Sequence, residues 1–146
     1  MSAPSDKRSS ASLGAMYQEA LLAHHRAPRN KREMPGASTS AVQRNTVCGD
    51  ELKVMVRLDG GRIADVSFMG QGCSIATASA SLMTDTVLGM SVRDALRLVD
   101  ALEAMLAGDA EVELPESLTP LRGVAPFAGR HGCARMAWSA LRESLS

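Results

Sequence analysis

The sequence predicts an α+β fold in a single domain, with a three-stranded antiparallel sheet packed against helices. Two patterns carry that expectation. Leu52, Val54, Val56 and Leu58 alternate with polar residues, and Asp59-Gly60-Gly61 then turns the chain into Ile63, Val66 and Phe68, which is the signature of a hairpin. From Ser74 onward the apolar residues recur at helical intervals instead. At 146 residues the chain has the length of one domain and can bury a core without disulfide staples.

Taken in order, residues 1–12 are rich in Ser and Ala and read as a disordered tail, so the folded domain is expected over 13–146. From about Leu13 to Arg26 the residues Leu13, Met16, Tyr17, Ala20 and Leu21 sit at helical spacing, and Pro28 limits the helix. Arg29 to Gly36 is basic and turn-rich and reads as a solvated connector. A weaker strand from about Ala37 to Val42 would complete a three-stranded meander with the hairpin. After Phe68 the chain is expected to be helical. Ser74 to Leu88, rich in Ala and Ser, reads as a buried helix ended by Gly89. Ser91-Val92-Arg93-Asp94 has a capping pattern leading into Leu96, Val99, Leu102 and Leu106, with Gly108 as the stop. Pro115, Pro120 and Pro126 interrupt a connector before a last helix carrying Met136, Ala137, Ala140 and Leu141.

Composition narrows the function. Lys+Arg and Asp+Glu are both 16, so no net field favours nucleic acid or an anionic membrane. No apolar run approaches the roughly 18 residues that span a bilayer, and no secretory signal is evident, so a soluble, cytoplasmic protein is expected. Three cysteines in such a compartment point to thiol or metal chemistry rather than to a disulfide framework.

Each cysteine lies at a junction beside glycine. Cys48 stands in Thr46-Val47-Cys48-Gly49-Asp50, where an extended backbone would aim the side chains of Cys48 and Asp50 the same way. Cys73 follows Gly70-Gln71-Gly72 at a strand-to-helix junction, and thiols at helix starts deprotonate more readily. Cys133 follows Gly129-Arg130-His131-Gly132 and opens the last helix. Three thiolates and one carboxylate would complete a tetrahedral zinc site or anchor an iron–sulfur cluster. Spacing alone leaves open whether they share one metal or are three unrelated thiols, because no C-x-x-C pair occurs. His24 and His25 read as partly buried packing groups, His131 as a loop histidine or an auxiliary ligand, and Trp138 with the nine methionines as core.

Met16 to His25 followed by Pro28-Arg29-Asn30, then Asn45 to Asp50, Gly70 to Ser79 and Cys133 to Trp138, resemble the IscU/NifU-N superfamily of iron–sulfur cluster assembly proteins. Within it the sequence is more similar to the SufU branch. Gly132 stands where scaffold members carry histidine, Arg130 matches a SufU-type arginine, the Cys73 to Cys133 interval is long, and a Leu-Pro-Pro-Val-Lys motif is replaced by Leu114-Pro115-Glu116. The resemblance implies a zinc ion held by Cys48, Asp50, Cys73 and Cys133, with Cys48 accepting persulfide sulfur. The implied donor is a pyridoxal-phosphate cysteine desulfurase of the SufS type, one histidine of which can replace Cys48 on the metal, and downstream cluster-assembly proteins would receive the sulfur. Arg130 is assigned to the exchange step, making the chain a sulfurtransferase that acts only with its partner. Two other readings use the same residues: a scaffold for a labile cluster, and a purely structural zinc domain.

Overall fold

A computed structural model of the protein describes residues 2–47 and 49–146, with side chains from residue 14 onward. Helix α1 spans Ser2–Arg26; strands β1, β2 and β3 span Thr39–Asn45, Asp50–Asp59 and Arg62–Gln71; helices α2, α3 and α4 span Ser74–Val87, Val92–Leu106 and His131–Leu145. A 3-10 segment covers Glu116–Val124 and a shorter one Ala128–Arg130. Among the described residues the strands form one antiparallel sheet in the order β1-β2-β3, the α+β arrangement that the hairpin and helical spacings predict.

Several boundaries differ from the sequence expectation. β1 ends at Asn45 rather than near Val42, because Thr39–Asn45 pairs along the whole of Val56–Asp50 although only Ala41 on it is buried. Pairing to an apolar neighbour, not its own alternation, makes this segment a strand. α1 starts upstream of Leu13, consistent with a packed helix extending at one hydrogen bond per added residue. β3 continues to Gln71, beyond Phe68. Ile63 and Val66 are three apart yet both buried, and a register shift between Arg57 and Leu58 accounts for it by adding a residue on β3.

α4 lies against β1 and β2, and α2 packs between α1 and α4. Leu52, Val54, Val56, Val66 and Phe68 of the sheet meet Ala76, Ala80 and Met83 of α2 and Ala137, Trp138 and Leu141 of α4 in one core. The outer edge of β3 is covered, since Asn30 O accepts the Phe68 amide at 3.0 Å and Met90 O accepts that of Ile63 at 2.8 Å. The 29–36 segment is therefore more than a solvated connector: Met34 is buried and Arg32 pairs with Asp65 at 2.6 Å. In the Pro-containing connector Leu118, Leu121 and Val124 are buried at a spacing of three, which is the period of a 3-10 helix and escapes a search at 3.6. No helix among the described residues is long and apolar enough to cross a membrane.

Candidate metal centre

The site forms where the β1–β2 loop, the end of β3 and the start of α4 meet. Asn45 shapes the loop: its backbone carbonyl accepts the Gly49 amide at 2.8 Å, and its side-chain Oδ1 accepts the Val47 amide at 3.1 Å. Gly49 adopts φ +73°, a region that glycine enters without penalty. Asp50 then opens β2. Cys48 itself lies outside the described residues.

At the end of β3 the chain must pass very close to β2. A Cβ on Gly70 would stand 2.1 Å from Glu51 O, and φ there is +127°. That close passage delivers Cys73 to Asp50, whose Oδ2 accepts the Cys73 amide at 3.2 Å. Cys73 is the N-cap residue of α2, so the carboxylate of Asp50 bonds an amide at the positive end of the helix dipole.

Cys133 arrives from the other side, in the first turn of α4, and is buried. A buried chain of hydrogen bonds sets that turn against α2: Trp138 Nε1 donates to Ser79 Oγ at 3.0 Å, and Ser79 Oγ donates to Ala134 O at 2.7 Å. One ligand atom each from Asp50, Cys73 and Cys133 consequently lies within 4.8 Å of the others. Tetrahedral zinc with Zn–S near ~2.3 Å needs ligand atoms roughly 3.7 Å apart, so the three side chains and their chemistry fit such an ion with little adjustment. Sequence reasoning missed Ser79, treated as a small packing residue, and Asn45. The available signals were a buried Trp, whose N–H needs an acceptor, and an Asn at a hairpin loop.

Arg130 lies in the short 3-10 segment, exposed, with no side-chain partner among the described residues. It lines a groove of about 800 Å³ beside the cluster, together with Ser74 and Ile75 at the start of α2. His131 is half-buried and its Nε2 bonds Ala125 O at 2.7 Å, outside the Asp50, Cys73 and Cys133 group. His24 is a packing group as expected, 2.6 Å from Ser81 Oγ, and burial followed by the nearby Arg29 charge lowers its pKa. His25 is exposed instead, on the solvent side of α1.

The family model of the NifU-like N-terminal domain matches residues 16–145. The chain belongs to this family. Among its relatives, the iron–sulfur cluster assembly scaffold protein IscU of Streptococcus pyogenes is 39% identical over 137 residues, which cover 91% of this chain and 84% of that protein. The zinc-dependent sulfurtransferase SufU of Bacillus subtilis is 33% identical over 139 residues, 93% of each chain. A crystal structure from Fervidobacterium islandicum, described as a cluster assembly scaffold for the SUF system, superposes with a TM-score of 0.78 at 26% identity over 88% of this chain and 95% of that one. The NifU-N domain thus spans nearly the whole chain, and its relatives carry both scaffold and sulfurtransferase names.

Proposed function

We infer that this NifU-N protein is a zinc-dependent sulfur acceptor that takes persulfide sulfur from a pyridoxal-phosphate cysteine desulfurase for iron–sulfur cluster assembly. The observation that carries the reading is the convergence of Asp50, Cys73 and Cys133 beside the loop that bears Cys48. The name of the Bacillus subtilis relative supports zinc and sulfur transfer, and both other relatives support a role in cluster assembly.

Cys48, Asp50, Cys73 and Cys133 would hold the ion. Zinc, when bound, keeps its cysteine ligands as thiolates and shields them from stray oxidants. In the transfer the Cys48 thiolate attacks the terminal sulfur of the persulfide on the donor enzyme. The donor S–S bond breaks, the donor cysteine leaves as a thiolate, and Cys48 retains the sulfur as a new persulfide. Arg130 supplies a permanent positive charge and fixed donors for the anionic sulfur during this exchange. The scaffold reading has the names of the Streptococcus and Fervidobacterium proteins in its favour and would use the same three cysteines for a labile cluster.

Metal analysis and mass spectrometry separate the two. The expected result is a colourless protein with one zinc per chain, which after reaction with a desulfurase and cysteine carries extra sulfur on Cys48. A brown protein containing iron and labile sulfide would favour the scaffold, and sulfur found consistently on Cys73 or Cys133 would refute the assignment of Cys48.

A further inference from the structure

The loop between β1 and β2 that bears position 48 gains nothing from burial: Thr46, Val47 and Gly49 are exposed, Val47 at 94%. Asn45 supplies the restraint instead. Its backbone carbonyl accepts the Gly49 amide at 2.8 Å and its side-chain Oδ1 accepts the Val47 amide at 3.1 Å, so the amides on both sides of position 48 bond one residue. The Val47 bond also orients the side-chain amide and leaves Nδ2 towards α4, where a methyl group on Gly132 would stand 3.6 Å from it. Asn45 and Asp50 are partners at the last rung of the β1–β2 ladder. One half-buried side chain therefore adjoins the segments that carry Cys48, Asp50 and Cys133. We propose that Asn45 is a positioning residue for the sulfur transfer: by tying the loop at Val47 and Gly49 it sets how closely Cys48 keeps to the ion at rest and to the donor sulfur during transfer.

This role rests on the sulfur-acceptor function inferred above and names what fixes the acceptor. A ligand carried on a tether meets its ion at an effective concentration that falls as the tether samples more space. The same holds for the transfer, in which the thiolate must reach the donor sulfur at roughly 3–3.5 Å. Gly49, at φ +73°, permits the tight return into β2 but by itself restrains nothing. An acceptor one carbon beyond Cβ reaches the amide two residues on, which is the local bond that Asn and Asp make and apolar side chains cannot.

Three measurements on the zinc-loaded full chain test it: zinc affinity by chelator competition, the rate at which iodoacetamide alkylates Cys48 by peptide mass mapping, and sulfur acceptance titrated against the cysteine desulfurase of the same organism. Asn45→Ala should hold zinc about 10-fold more weakly, alkylate at Cys48 about 10-fold faster, and accept sulfur at a maximal rate about 10-fold lower with the half-saturating desulfurase concentration unchanged, the scale of one net hydrogen bond. Asn45→Asp keeps the acceptor for the Val47 amide and should recover most of each loss. Val47→Pro removes the donor of that bond with Asn45 in place and should reproduce the Asn45→Ala losses, so it decides the matter if Asn45→Ala melts too low to assay. Arg44→Ala, which breaks the exposed pair with Glu51 on the same hairpin, should match the wild type. Wild-type values in Asn45→Ala and Val47→Pro, no recovery in Asn45→Asp, or equal losses in Arg44→Ala would overturn the proposal. So would a raised half-saturating concentration at an unchanged maximal rate, which would give Asn45 to partner binding instead. Altered zinc affinity and alkylation in Asn45→Ala, with no sulfur ever reaching Cys48 in the wild type, would leave the hold of Asn45 on the loop standing and remove the sulfur-acceptor function; sulfur reaching Cys48 equally fast with or without the Asn45 side chain would do the reverse.

Discussion

A methyl group at Gly70 would meet the Glu51 carbonyl oxygen at 2.1 Å with the backbone at φ +127°, so neither space nor dihedral admits it. Gly70→Ala should lower stability by about 2 kcal/mol or more in urea titration, and it should weaken metal binding as well, since the same close passage brings Cys73 to Asp50. His24 makes a different prediction. Its pKa in the fold lies below the unfolded value of 6.5, because of burial and then Arg29, with Asp85 opposing. The neutral ring is the one that the fold favours, so its contribution is present above pH 6.5 and is lost as pH falls through that value towards the lower folded pKa. Unfolding free energy should rise with pH up to about 6.5, and His24→Gln should flatten that slope. At Arg130 the expected outcome is a retained zinc and near-normal melting temperature in Arg130→Ala, while sulfur acceptance at saturating desulfurase falls by ~10-fold, equivalent to about 1.4 kcal/mol. The junction position of Arg130 was legible in the sequence; its lack of a side-chain partner among the described residues was not, because pairing depends on which residues the fold brings near.

Cys73 at the N-cap of α2 and Cys133 in α4 are two of the three candidate ligands described, and Ser79 bridges the two helices. Ser79→Ala would leave the buried Trp138 N–H without its acceptor and remove the donor to Ala134 O, at a cost of about 1–3 kcal/mol. Because Ala134 adjoins Cys133, the variant should also bind metal more weakly. Ser91→Ala provides the contrast. Ser91 Oγ accepts the Asp94 amide at 3.0 Å at the start of α3, so its loss should cost about 1 kcal/mol by denaturant titration and leave metal content unchanged. The cap of α3 could be read from four consecutive residues because both partners lie within one turn. The Ser79 bridge could not, since it joins residues 55 and 59 positions apart.

For the molecule as a whole, the candidate ligand cluster joins β2, the N-cap of α2 and α4, so an ion held there would tie the sheet to both core helices. Structural zinc contributes on the order of 10 kcal/mol of apparent binding energy. Cys73→Ser and Cys133→Ser should each lose the metal and melt well below the wild type, and a chelator should reproduce that shift in the unmutated protein. Unchanged metal content and melting temperature in both variants would contradict the site. Alternation over Leu52–Leu58, the Asp59-Gly60-Gly61 turn and the Ser91 cap determined the hairpin and α3 from sequence, because each is a local preference expressed between neighbours. The junction placement of the three cysteines was equally visible. What only the tertiary structure decided was that Asp50, Cys73 and Cys133 meet, that β1 runs on to Asn45, and that Arg130 borders an apolar groove. Those facts arise from how the sheet, α2 and α4 pack, and proximity between residues far apart in the chain is set by the shared core rather than by any spacing along the sequence.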